Sequence, residues 1–229
     1  MSFVTMILAS AGLSLSMMGP GSCPPGCEKD CCTAEAAPEK DAHCPLCATK
    51  ETKQAELPQI DTATYGNANW PAHNPEKGLY FKNFQGKPMP AKFSDETVLS
   101  GERTLEHTKG KVMIVDFWAT WCGPCVAAAP KLAELQEANK DNLQVVGVSG
   151  VNEDQATVAA FLESHEEPFV QLFDSDQKVM KHFETRGIPL VLVVSTDGVI
   201  RWMGNPLQPE FKKVVEQVLE ADPLIQAKS

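Results

Sequence analysis

The segment from Val112 to Cys125 reads VMIVDFWATWCGPC and constrains the fold more than any other part of the chain. A nearly continuous apolar run of this length suits a central strand covered on both faces, not an amphipathic edge strand. Such a strand belongs in a sheet with helices packed against it. From Cys122 to about Asn139 the apolar positions return to helical spacing, so the two cysteines fall where the strand gives way to a helix. Two cysteines three positions apart on a first helical turn can close a small disulfide ring. The first lies over unpaired backbone N–H groups at the positive end of the helix, which favours its thiolate. Cys122 is therefore the expected nucleophile, and Cys125, one turn deeper, the expected resolving thiol. A zinc reading of the pair needs two further ligands at metal spacing, and the nearest histidines in sequence, His107 and His165, supply no such pattern.

The rest of the ordered chain follows the same alternation. Thr97-Val98-Leu99, Ser100-Gly101 and Arg103-Thr104-Leu105 read as a hairpin with glycine in its turn. Leu143 to Ser149 reads as a second buried strand, and Asn152 to His165 as a helix with Asn152 and Gln155 as its capping pair. A short strand is expected over Phe169 to Phe173 and a short helix over Gln177 to Phe183. Pro189 to Ser195 turns through Thr196-Asp197-Gly198 into Val199 to Met203 as an antiparallel hairpin, and Pro209 to Ala221 closes the pattern as an amphipathic helix. The order β-α-β-α-β-α-β-β-α describes an α/β fold, a mixed sheet flanked by helices.

At VDFWATWCGPC the sequence resembles the thioredoxin superfamily, and the likeness runs from about Gly86 to Ala221. Gly187-Ile188-Pro189 resembles the family loop whose proline is cis and faces the dithiol; Pro130 falls where the family kinks its active-site helix. Gly204 resembles the glycine near the substrate groove. The helix and strand between Asn152 and Phe173 resemble those of exported TlpA-like and ResA-like thioredoxins. This resemblance implies a thioredoxin-like fold and a substrate-contacting surface of Trp121, Gly123, Pro124, Ile188, Pro189 and Gly204. Asp116 stands six residues before Cys122, at the position of thioredoxin's buried acid. Burial disfavours a carboxylate, so such a group can accept a proton near neutral pH, and Asp116 is the expected base for Cys125. The alternative is a structural Asp paired with a neighbour. Two departures stand out: Gly147 or its neighbours replace a thioredoxin lysine, and Ala128 replaces the glutamate that ResA-like proteins carry three residues after the second cysteine. Trp118 is as consistent with packing as with a role.

Before this domain the composition changes. The first 27 residues carry no charged side chain, and Phe3 to Gly19 is apolar apart from small hydroxyls, so residues 1–22 are expected to be an export signal or membrane anchor, although no basic residue precedes the run. Residues 23–80 are expected to be a disordered, Cys/Pro-rich tether and extension, 81–224 the thioredoxin-like domain and 225–229 a tail. Tyr65, Trp70, Tyr80, Phe81 and Phe84 are expected to pack the extension on the domain. Six of the eight cysteines lie between Cys23 and Cys47. Cys23, Cys27, Cys31, Cys32, His43, Cys44 and Cys47 could hold a soft metal, Zn²⁺ or Cu⁺; disulfides in an exported chain, or an inert tether, explain them without one.

With 30 acidic against 20 basic residues, a net charge of −10 and no lysine/arginine cluster, nucleic acid is an unlikely partner. His73, His107, His165 and His182 are isolated, and His165-Glu166-Glu167 reads as a solvated helix end. The expected function is a thiol–disulfide oxidoreductase that reduces protein disulfides in the periplasm or cell envelope, monomeric, with no cofactor required at the dithiol. Its expected partners are disulfide-containing proteins and a membrane-associated thiol donor, and its N-terminus can anchor it to the membrane. Two alternatives are a peroxiredoxin-like peroxidase, which lacks its Pro-x-x-x-Thr-x-x-Cys setting here, and a metal-binding protein acting through the N-terminal cysteines.

Overall fold

The computed structural model describes residues 57–75, 81–90, 97–101, 110–165 and 167–228, all within one compact unit, Glu56–Ser229. The N-terminal apolar segment and the seven candidate metal ligands from Cys23 to Cys47 lie outside the described residues. Along the chain the elements are α1 (Thr62–Gly66), β1 (Thr97–Ser100), β2 (Val112–Phe117), α2 (Gly123–Ala138), β3 (Leu143–Ser149) and α3 (Gln155–Ser164), then β4 (Val170–Phe173), α4 (Lys178–His182), β5 (Leu190–Val194), β6 (Ile200–Gly204), α5 (Phe211–Ala221) and α6 (Pro223–Lys228).

The six strands form one sheet in the order β1-β4-β3-β2-β5-β6. β2, β3 and β4 are parallel, joined by the crossovers through α2 and α3, while β1, β5 and β6 run antiparallel to their neighbours. β2 is buried at every position, as its unbroken apolar run requires. Its side chains alternate between two cores. Met113, Val115 and Phe117 meet α4 and Phe84 on one face; Val112 and Ile114 meet Leu132 of α2 and Val215 and Val218 of α5 on the other. By the same period Asp116 takes the third position on the α2 face, where an apolar side chain would otherwise stand.

Several boundaries differ from the sequence reading, each for a local reason. β1 pairs with β4; the second arm of the expected hairpin lies outside the described residues. The cap of α3 is Asp154, whose carboxylate accepts from Thr157 N at 2.8 Å, and not Asn152, which has a left-handed φ of 53° in the preceding loop. The expected 225–229 tail is mostly α6: Asp222, fully buried, accepts from Leu224 N and from Thr196 N and Oγ1, and Ile225 joins the core. The compact unit also begins well before the expected boundary at residue 81. Tyr65 is buried with its hydroxyl 2.8 Å from Thr196 Oγ1, the Trp70 ring lies 3.8 Å from the Arg201 guanidinium, and Asn74 Nδ2 donates to Met203 O. The packing expected of Tyr65 and Trp70 is thus found, through a few polar and aromatic anchors and not an apolar stripe.

Candidate active site

β2 ends at Phe117, and five residues later the chain enters α2 with Cys122 as its N-cap. Cys122 accepts from Cys125 N at 3.3 Å through its sulfur and from Cys125 N at 2.9 Å and Val126 N at 3.1 Å through its carbonyl. The sulfur thus takes a first-turn amide and lies at the positive end of the helix dipole. Cys122 and Cys125 are joined as a disulfide, with an S–S distance of 2.04 Å and their Cα atoms 5.3 Å apart. Cys122 is 5% exposed and Cys125 1%, so Cys125 is the deeper of the two. Gly123 and Pro124 between them are exposed. Pro130 lies inside α2, and Ala128 is buried in it.

Asp116 lies below the helix. It is register-paired with Gly147 of β3, which is paired with Gln171 of β4, so the three share one face of the sheet. Gln171 is buried and lies across Gly147 so closely that a Cβ there would collide with its amide. Its Oε1 accepts from Trp118 Nε1 at 2.9 Å. Glycine at 147 is thus what admits a side chain from the next strand into the space beside Asp116. Asp116, Trp118, Cys125, Phe161, Glu167 and Gln171 line a cavity of about 10 Å³. Burial, and after it the negative charge of Glu167, raises the Asp116 carboxyl from 3.8 to about 8. Asp116 Oδ1 has no hydrogen-bond partner among the described residues. Trp118, with packing and a site role equally open from its sequence position, therefore both packs and holds Gln171.

Glu167 was not singled out by the sequence, where it reads as part of a solvated helix end. It is only partly exposed, and burial raises its carboxyl above the usual range while neighbouring His165 opposes that shift. The one sequence cue is Pro168-Phe169 directly after it, which carries the chain inward to β4. Glu153 was missed too: it accepts from Thr120 N at 3.0 Å and Thr120 Oγ1 at 2.6 Å, clamping the loop before Cys122 to the start of α3.

The remaining expected site residues divide. Trp121 is 55% exposed beside the dithiol, its indole N–H donating to Val151 O at 2.8 Å. The Ile188–Pro189 peptide is cis, and Ile188 packs on the cluster containing Cys122 and Cys125. Leu190, next in the chain, is paired with Phe117, so this loop leaves the sheet at the edge where β2 delivers the dithiol. Gly204 is buried at the end of β6, where a Cβ would meet the Trp202 ring and Asn74, so close packing accounts for glycine there. No three His, Cys, Asp or Glu side chains come together as a metal site among the described residues, and none of their helices is long and apolar enough to cross a membrane.

The Redoxin family model matches residues 84–219. The thioredoxin-like protein YneN of Bacillus subtilis is 32% identical over 141 residues, 60% of this chain and 80% of that protein. The thiol-disulfide oxidoreductase ResA of the same organism is 26% identical over 129 residues, 53% of this chain and 72% of ResA. Among solved structures, that of a thioredoxin-like protein in its oxidised form superposes with a TM-score of 0.52 at 26% identity, covering 59% of this chain and 97% of that one. Taken with a dithiol at the strand-to-helix junction of a thioredoxin-like sheet, these likenesses settle the family: the chain belongs to the Redoxin family and is a ResA-like thiol–disulfide oxidoreductase.

Proposed function

We propose that the chain reduces disulfides in other proteins outside the cytosol, with Cys122 as attacking thiolate, Cys125 as resolving thiol and Asp116 as the base for Cys125. The observation that carries the reading is the placement of the two sulfurs: Cys122 caps α2 and accepts its first-turn Cys125 amide, while Cys125 lies deeper, on the cavity it shares with Asp116. In the reduced protein the helix terminus stabilises the Cys122 thiolate, which attacks a target disulfide. One target sulfur bonds to Cys122 and the other leaves as a thiolate that takes up a proton. Asp116 then accepts the Cys125 proton, and the Cys125 thiolate attacks Cys122 Sγ. The Cys122–Cys125 bond forms, the mixed disulfide breaks, and the target leaves fully reduced. An acid poised at about 8 matches an ordinary thiol near 8.5, so once Asp116 is ionised the proton transfer is nearly balanced.

Each turnover leaves the dithiol oxidised, so a thiol donor must regenerate it, and a membrane-associated donor suits a chain whose N-terminal residues are apolar and uncharged. Exposed Trp121, next in the chain to Cys122, gives a protein substrate a flat apolar contact near the sulfur. Purified protein supplied with a small thiol should reduce a disulfide-bonded protein catalytically and consume hydrogen peroxide no faster than the Cys122→Ser/Cys125→Ser protein does. Peroxide consumption that depends on Cys122 and exceeds disulfide reduction would contradict the proposal and favour the peroxidase reading. Recovery of the full-length protein in the soluble cytosolic fraction would contradict its placement outside the cytosol.

A further inference from the structure

The cavity behind Cys125 is small, about 10 Å³, and two carboxyl groups line it: Asp116 from β2 and Glu167 from the loop between α3 and β4. Glu167 also lines an open groove of about 590 Å³ with Leu99 and Ser100 of β1 and Ala159, Leu162 and Glu163 of α3. It is the residue common to the small cavity and the more open groove, so it links the dithiol's buried acid to solvent. The remaining polar groups of the cavity, the Gln171 amide and the Trp118 indole, are neutral and bonded to each other. Among the described residues no cation lines the cavity, so a negative charge on Glu167 acts on Asp116 through largely apolar surroundings.

We propose that Glu167 is a positioning residue of the dithiol reaction, and that its charge, acting across this cavity, governs whether Asp116 holds a proton and so when Asp116 can serve as base for Cys125. The inference rests on Asp116 being that base. Being half-open to the groove, Glu167 loses its proton before fully buried Asp116. Ionising Asp116 afterwards would set two like charges on one small cavity, so Asp116 keeps its proton to higher pH than burial alone would hold it. The groups facing the pair are few. Cys125 of α2 lies on the Asp116 side, Glu163 of α3 on the groove side, and His165 beside Glu167, where it opposes the rise that burial gives the Glu167 carboxyl. The consequence is a dithiol whose resolving step is held back near neutral pH by a second carboxylate, exposed enough for a bound partner to cover or pair with.

The test is the pH dependence of resolution. Reduced protein reacted with an aromatic disulfide releases one aromatic thiol when Cys122 attacks and a second when Cys125 resolves; the rate of the second release is followed from pH 5 to pH 10. In Glu167→Gln, which keeps size and loses charge, the midpoint of the rise should move down by at least about half a pH unit. In Glu163→Gln it should stay at the wild-type value, and in the Asp116→Asn background Glu167→Gln should produce no further shift. An unchanged midpoint in Glu167→Gln, with Asp116→Asn altering the profile, overturns the role of Glu167 and leaves Asp116 as the base. A shift that persists in the Asp116→Asn background also overturns it, because Glu167 would then act on Cys125 directly. If Asp116→Asn itself leaves the profile unchanged, the base assignment and this inference fall together.

Discussion

Replacing Asp116 with asparagine should move stability in the variant's favour, relative to wild type, as pH rises. Asp116 is 2% exposed, and burial with the charge of Glu167 raises its carboxyl from 3.8 to about 8. In the unfolded chain the same group ionises near its ordinary value. Between those limits the unfolded chain has given up a proton that the folded chain keeps, so rising pH favours unfolding. A carboxylate held by a cation has the opposite sign. The contribution is therefore greatest below about pH 4, declines through about pH 8 and is level above that. At about 1.36 kcal/mol per unit, a raise of roughly four units sets a ceiling of about 5.5 kcal/mol. Relaxation of the surroundings on ionisation brings the expected loss to about 2–4 kcal/mol. The asparagine variant carries no charge in either state and lacks this decline. Its unpaired amide costs about 1–3 kcal/mol, independent of pH, so comparing two pH values cancels it. Urea denaturation of the oxidised proteins at pH 4.5 and pH 8 measures the difference. The variant should gain about 2–4 kcal/mol on wild type between the two. A constant difference would mean that Asp116 is already ionised in the folded protein, and its poise as a base would be refuted.

Two further substitutions probe the frame around the site. Gly147→Ala should cost about 1–3 kcal/mol, because the added methyl collides with the Gln171 amide, and Gln171→Ala in the same chain should recover part of that loss; additive costs in urea denaturation would contradict the contact. Asp222→Ala removes the acceptor of the Thr196 and Leu224 amides and should cost about 3 kcal/mol or more, with the loss of protection spreading to α6 amides in hydrogen exchange; protection unchanged over Pro223–Lys228 would show that α6 is held by other means.

What was legible in the sequence was what local pattern determines. The apolar run Val112–Phe117, the dithiol at the junction and Leu143–Ser149 are all found as read, because a strand buried on both faces needs nothing but its own side chains to announce it. The cis bond before Pro189 was legible only through the resemblance, since proline sets a preference and the loop decides. The surroundings of Asp116 were not legible. Gln171 reaches it only because β4 lies next to β3 in register with Gly147, and strand order is a long-range property. Glu167 reads as surface in a run of charges, yet the turn at Pro168 brings it to the cavity. The cap of α3 was misplaced by two residues because Asn152 and Asp154 are both good capping types, and only the left-handed backbone at Asn152 separates them. Tyr65 and Trp70 pack the extension on the domain as their aromatic character leads one to expect, but their partners Thr196 and Arg201, like Met203 beneath Asn74, lie more than a hundred residues away in sequence and only the fold identifies them.

Trapping tests most directly that Cys122 is the attacking sulfur and Cys125 the resolving one. Reduced Cys125→Ser protein, incubated with a disulfide-bonded protein substrate and quenched in acid, should carry a substrate chain through Cys122, found by intact mass and located by peptide mapping; the Cys122→Ser protein treated in the same way should carry none. An adduct on Cys125 in the Cys122→Ser protein, with none on Cys122 in the other, would contradict the assignment of the two sulfurs.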